Sequence, residues 1–228
     1  MSQQALAQRA ARGKLAGSAQ RVQASADRVA KRDRNRQRIL DAAAELFFER
    51  GYAGTTMDAL CEHLGVTKPF VYYYFKDKSQ ILDTLTLESA KVTLSSLKPA
   101  AEAKQSAEQR LRFGLRQLLD NHIRLFKAGS LYHREQAFLS PKVRTQMRDM
   151  SRDFHRDLMK LLDDGVAAGI LPKQNVHLTA LAIGGILGYM YTWYQPKGTV
   201  APEQVIEQFL VIMLRAAGQA HERASQPA

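Results

Sequence analysis

The sequence predicts an all-α fold, with an N-terminal helix-turn-helix unit of three helices followed by a larger helical domain. From Asn35 onward, apolar residues recur at spacings of three and four, and no convincing period-2 run interrupts them. Glycines and N-capping residues punctuate that pattern at helix-length intervals. At 228 residues, 45% hydrophobic and 24% charged, the chain is long enough to bury a sizeable core.

Residues 1–33 are poor in bulky hydrophobics and rich in Ala, Gln, Arg and Ser, so they read as a flexible basic arm. The first helix is expected over residues 36–50, with Ile39, Ala43, Leu46 and Phe47 on one face. Gly51 suits its left-handed end, and Tyr52 stands where a hydrophobic capping contact is usual. Thr55, with Asp58 three residues later, reads as a capping box opening the second helix. That helix buries Met57, Leu60, Cys61 and Leu64, which makes Cys61 a core residue. Cys61 is also the single cysteine, so no intramolecular disulfide can form, in keeping with a reducing cytoplasm.

Gly65 and Val66 make a short turn, and Thr67 is expected to cap a very short third helix ending near Tyr74. Asp77 with Gln80 starts a long helix carrying Ile81, Leu82, Leu85 and Val92, closed before Pro99. In the second half, Leu111, Leu115, Leu118, Leu119, His122 and Phe126 share one helical face. A short helix over residues 130–138 follows. Ser140-Pro141 then opens a long helix bearing Val143, Met147, Met150, Phe154, Leu158 and Leu161, ended by Gly169.

Residues 174–196 contain no charged side chain, which invites a membrane-spanning reading. The central run, 178–194, sits at the bottom of the spanning range and carries glycines and threonines, so a helix buried in protein and no membrane partner are expected. Ala201-Pro202-Glu203 starts the last helix, which stops at Gly218. The expected organisation is an arm over residues 1–33, a helix-turn-helix domain over 34–80, a second domain over 81–221 and a tail over 222–228.

Charge is unevenly distributed. Residues 1–38 hold ten basic residues against Asp27 and Asp33, so this segment carries +8 of the chain's +11. A basic N-terminus ahead of a nearly neutral body suits nucleic acid, and equally a solubilising tail. Position adds more. Two helices as short as those within residues 57–74 are unstable alone and must pack on their neighbours, as in a helix-turn-helix whose second helix enters the major groove.

In that second helix Val71 and Phe75 are four apart and suit the core. Lys68, Pro69, Phe70, Tyr72 and Tyr73 are left with too few core positions to occupy. Tyrosine hydroxyls donate to phosphate, and Pro and Phe can touch thymine methyls. The alternative for Tyr72 and Tyr74 is simple packing of a small domain. Lys76 and Lys78 flank a helix N-terminus, where a bound phosphate would offset their unfavourable dipole interaction. Two solvated lysines are the alternative.

The segments Arg38 to Tyr52, Thr55-Thr-Met-Asp58, Gly65-Val-Thr-Lys68 and Val71 to Lys78 resemble the tetracycline-repressor (TetR) family, across residues 36–83. The resemblance implies an all-α homodimer that binds a palindromic operator, usually as a repressor released by a small molecule. It implies DNA-facing roles for Thr56, Asp58, Thr67, Lys68, Pro69, Phe70, Tyr72, Tyr73, Tyr74 and Lys78. Two positions depart from the pattern. Tyr74 stands where many members carry histidine, and Asp58 where some carry a basic contact.

The stretch from Trp193 to Gly198 and the final amphipathic helix are similar to the C-terminal domain of many members, whose last two helices form the dimer interface. Ala180, Gly184 and Gly188 would allow close helix approach, with Phe209 and Met213 on the apolar face of the last helix. An effector pocket is expected among Phe113, His122, Phe126, Phe138, Met147, Met150 and Phe154. The Met and Phe content favours an apolar or aromatic effector, although core packing is the first reading of each residue, and a core histidine bonded to a backbone carbonyl accounts for His122 equally well. No HExxH, GxSxG, P-loop or dinucleotide-glycine motif occurs, nor a Cys/His cluster with zinc spacing, so neither an enzyme nor a cofactor is expected.

Overall fold

The first helix, α1, runs unbroken from Gln3 to Arg50. The computed structural model describes residues 3–219, with side chains at residue 23 and from residue 25 onward. The arm expected to be flexible is therefore helical from Gln3, and residues 1–2 and the 222–228 tail lie outside the described residues. The physical reason is composition: Ala, Gln and Arg are strong helix formers, and no proline interrupts them. At 48 residues α1 is about 72 Å long. Residues 25–34 are exposed, so this part of the helix buries nothing in its own chain.

The buried stripe begins at Ile39 and Leu40 and continues through Ala43, Leu46 and Phe47. Gly51 takes φ of 75°, and Tyr52 closes the end with its ring 5.3 Å from that of Phe47. α2 (Met57–Leu64) ends at Gly65, whose φ of 66° turns the chain into α3 (Lys68–Tyr74). Its N-cap is one residue later than the sequence predicts. Thr56 accepts from the Ala59 N–H, while Thr55 is buried and donates to the Gly51 and Leu46 carbonyls. α4 (Lys78–Leu94) is capped by Asp77, as expected.

The chain continues through a short α5 (Lys98–Glu102), α6 (Ala107–Arg124), α7 (Phe126–Arg134), a 3-10 turn at Gln136–Phe138, and α8 (Pro141–Ala167). It ends with α9 (Val176–Trp193) and α10 (Pro202–Ala216). No strand occurs among the described residues. The helix expected to run through Phe126 instead breaks at Leu125, and α7 starts there. No described helix is long and apolar enough to cross a membrane.

Two hydrophobic cores form. One joins α1 to α4 with Leu131 of α7, Leu139 just after the 3-10 turn, and Val143 and Met147 of α8. The other lies among α6, α8, α9 and α10. The domain boundary expected at residues 80 and 81 falls within the first turn of α4, which contributes to the N-terminal core and packs against α7 and α8.

α7 fastens the two parts together. Lys127 pairs with Glu45 at 2.8 Å, and Arg134 donates to the Phe48 carbonyl at 2.8 Å. Just beyond α7, Glu135 accepts from the Tyr52 N–H at 3.1 Å. All three contacts end on α1 or the turn that follows it.

Candidate nucleic-acid interface and effector cavity

α3 divides cleanly into two faces. Val71 and Phe75 are buried, whereas Tyr72 is 49% exposed and Tyr73 72% exposed. Thr67, Lys68 and Pro69 are also exposed, and Thr67 makes no side-chain capping bond. Phe70 and Tyr74 are half-buried, their rings 5.4 Å apart, and the Tyr74 hydroxyl accepts from Asn35 Nδ2 at 3.2 Å. Lys68 and Asp58 form an exposed ion pair at 2.7 Å, which joins the starts of α2 and α3 and raises the Lys68 pKa. Thr56 is exposed at the same end of α2.

Lys78 does not face outward as expected. Its ammonium donates to the Tyr52 and Thr55 carbonyls and stacks on the Tyr52 ring, and burial lowers its pKa. The α1–α2 turn presents two carbonyls toward the start of α4, and a cation there satisfies both. Sequence spacing could not reveal this, because the acceptors lie more than twenty residues away.

A second feature was concealed by reading the N-terminus as an arm. Arg28, Lys31 and Arg32 on α1, with Asn35, line a groove completed by Tyr73 and Tyr74. Positions 28, 31, 32 and 35 fall on one helical face, so the signal was present once the segment is read as helix.

A cavity of about 240 Å³ lies between α4, α6, α7, α8 and α9. His122, Met147 and Phe154 line it as expected residues; Thr86, Ser89, His133 and Tyr191 line it without having been singled out. Tyr191 lies between two histidine rings, 4.6 Å from His122 and 4.7 Å from His133. Burial holds His122 down to about 4, so the ring is neutral at neutral pH. Its Nδ1 has the Tyr191 hydroxyl 3.4 Å away, while among the described residues Nε2 is buried without a partner, as is the Thr86 hydroxyl.

The other expected pocket residues fall elsewhere. Phe126 is buried behind the cavity, its ring 5.1 Å from that of Tyr191. Phe113 is half exposed, because it lies two residues from Leu111 and Leu115 and faces away from their stripe. Phe138 is half exposed in the 3-10 turn, against Tyr52. Met150 borders a separate surface groove with Lys91 and Arg156.

The small-residue row of α9 points inward. Ala180 is in the core, and Gly184 and Gly188 line the cavity with nothing within 4 Å of where a Cβ would stand. Met213 is buried in its own chain, and Phe209 is half-buried against Trp193. The exposed apolar side chains are Leu178, Leu181, Tyr189 and Trp193 on α9, with Val211 and Ile212 on α10. α9 is apolar on every side, so its pattern could not indicate which face met solvent.

Two family descriptions match the chain. Residues 39–85 match "Bacterial regulatory proteins, tetR family", and residues 104–217 match "Tetracyclin repressor-like, C-terminal domain". The chain is 24% identical over 192 residues to the HTH-type transcriptional repressor KstR2 of Mycobacterium tuberculosis, covering 82% of this chain and 96% of that one. It is 27% identical over 146 residues to the HTH-type transcriptional regulator TtgR of Pseudomonas putida, covering 61% and 69% respectively. Among solved structures it is similar to the TetR family regulator PfmR of Thermus thermophilus, with a TM-score of 0.71 and 27% identity over 81% of this chain and all of that one. The chain, with its helix-turn-helix at α2–α3 and its helical C-terminal domain, belongs to the TetR family of bacterial transcriptional regulators.

Proposed function

We propose that the protein is a ligand-responsive transcriptional repressor that binds a palindromic DNA operator as a homodimer and is released by a small molecule. The carrying observation is the two-faced α3. Val71 and Phe75 anchor it, while Lys68, Tyr72 and Tyr73 remain in solvent, where adjacent exposed aromatic rings beside a lysine form a contact patch that suits a partner. The groups suit a major groove, with hydroxyls and an ammonium for phosphates and apolar edges for thymine methyls. Residues 34–80 serve as the DNA-binding unit, with Thr56, Asp58, Thr67, Lys68, Pro69 and Tyr72–Tyr74 toward the duplex. Residues 81–221 are assigned the effector and the dimer contact, and a DNA partner supports a cytoplasmic location.

The exposed apolar faces of α9 and α10 supply the contact with a second copy, because Leu178 at 59% and Tyr189 at 68% exposure have no cover among the described residues. The cavity supplies the effector site. Selection from a random duplex pool, followed by anisotropy titration of the enriched sequence, tests the reading. A two-fold symmetric site bound by two chains is expected. If no duplex is retained at low salt, the proposal fails.

A further inference from the structure

Resting on the reading of the cavity as an effector site, we propose that the effector is an uncharged, largely apolar molecule whose carbonyl oxygen accepts a hydrogen bond from His122 Nε2.

The lining sets the charge. Among the described residues, no Asp, Glu, Lys or Arg lines the cavity. Both lining histidines are held below their ordinary value by burial, so neither offers a cation. A carboxylate or ammonium seated among these side chains would give up part of its hydration and meet no counter-charge from the lining, which costs more than burial of a neutral group. The apolar surface comes from Leu118, Met147, Phe154 and Leu187, and Gly184 and Gly188 leave open the space that side chains would otherwise fill. At about 240 Å³ the space exceeds the ~150 Å³ that takes a benzene ring.

The hydrogen-bonding group follows from what is left unpaired. His122 is 3% exposed and Thr86 1%, and His122 Nε2 and the Thr86 hydroxyl have no partner among the described residues. Buried polar atoms in native proteins are seldom orphaned, and those lining a cavity mark what its occupant must supply. The Tyr191 hydroxyl has His122 Nδ1 as its partner. A buried phenol donates its proton to the available acceptor, which leaves Nδ1 bare and assigns the ring proton to Nε2. Nε2 therefore offers an N–H, which calls for an acceptor on the ligand, and the Thr86 hydroxyl can donate a second hydrogen bond. A ketone, ester or lactone oxygen accepts such bonds and carries no charge.

Four bicyclic probes differing in one substituent test the inference at pH 7.5 by calorimetry on the full chain: 2-acetonaphthone, 2-ethylnaphthalene, 2-naphthoate and 2-(aminomethyl)naphthalene. The ketone is expected to bind about tenfold tighter than the hydrocarbon, as one buried hydrogen bond provides, and the two ions more weakly than either. In His122→Phe the ketone and hydrocarbon should converge to within about twofold. On the unaltered chain, ¹⁵N-histidine spectra should show the His122 Nε2 resonance shifting with the ketone and not with the hydrocarbon, a reading independent of whether the variant folds. An ion binding as tightly as the ketone, an unchanged ketone preference in His122→Phe or an unmoved resonance would overturn the carbonyl assignment while leaving an effector site in place. Failure of all four probes to bind would remove the effector-site reading itself.

Discussion

The ammonium of Lys78 donates to the carbonyl of Tyr52 at 2.7 Å and lies 4.2 Å from the centre of that residue's ring. One side chain thus binds the α1–α2 turn to the first residue of α4. Lys78→Ala takes the donor from the Thr55 carbonyl and one of two donors from the Tyr52 carbonyl, which keeps the Thr55 N–H, and is expected to destabilise the protein by about 1–3 kcal/mol in urea titrations. The salt dependence of DNA binding should stay unchanged. A salt slope reduced by about one with stability unaltered would show instead that Lys78 contacts phosphate.

The exposed Lys68–Asp58 pair between α3 and α2 contributes little to folding, so its effect should be seen on DNA. Asp58→Asn removes a negative charge beside the proposed groove contact, and affinity for any duplex should rise several-fold. Lys68→Ala and Tyr73→Ala should weaken operator binding about tenfold or more while melting changes little. Wild-type affinity in either variant would remove that residue from the interface.

Replacing Arg28, Lys31 and Arg32 together with alanine should leave unfolding unchanged, since none is buried. If duplex DNA follows the groove beside Tyr73, the slope of log affinity against log salt should fall by about two to three units. An identical slope would mean that the basic face of α1 lies off the DNA.

Dimerisation separates the two faces of α9. Leu181→Asp or Tyr189→Glu places a charge in the proposed contact and should yield monomers in analytical ultracentrifugation. Gly184→Leu, which projects into the cavity, should leave the dimer intact and abolish probe binding. The reverse pattern would restore the glycine row to the interface.

Stability should depend on His122 in acid. Its folded-state pKa is about 4 against 6.5 when unfolded, so the unfolded chain takes up the proton first. Stability therefore falls as pH drops from about 6.5 towards 4, by roughly 3 kcal/mol in all from this ring. His133 and His155, also lowered by burial, add to the decline in the same sense. His122→Phe should flatten the acid limb of the urea midpoint against pH, and an unchanged limb would refute the assignment.

The helix-turn-helix was legible because its information is local. Gly51 and Gly65 sit at positive φ where the sequence placed helix ends, and Val71 and Phe75 face inward as their spacing requires. The capping threonine shifted by one because adjacent hydroxyls at Thr55 and Thr56 compete, and only packing decides which is buried. The cavity was partly legible through His122, Met147 and Phe154. Its remaining lining comes from α4, α7 and α9, and no periodicity within one helix reports which of its neighbours stands across a gap. Phe113 and Phe138 illustrate the limit: aromatic character marks a candidate, but only tertiary position separates a wall from a surface.

α7 touches the cavity through Gly129, Tyr132 and His133, and grips α1 through Lys127 and Arg134. Nine residues of continuous helix hold no joint, and the cavity-lining positions lie between the two that hold α1, so a displacement of this strut at the cavity carries its grip on α1 with it. Occupancy and grip are then mechanically inseparable here. A substitution that reshapes the strut for a new effector also resets the resting posture of the DNA-reading unit, so specificity and basal repression cannot drift independently along this segment.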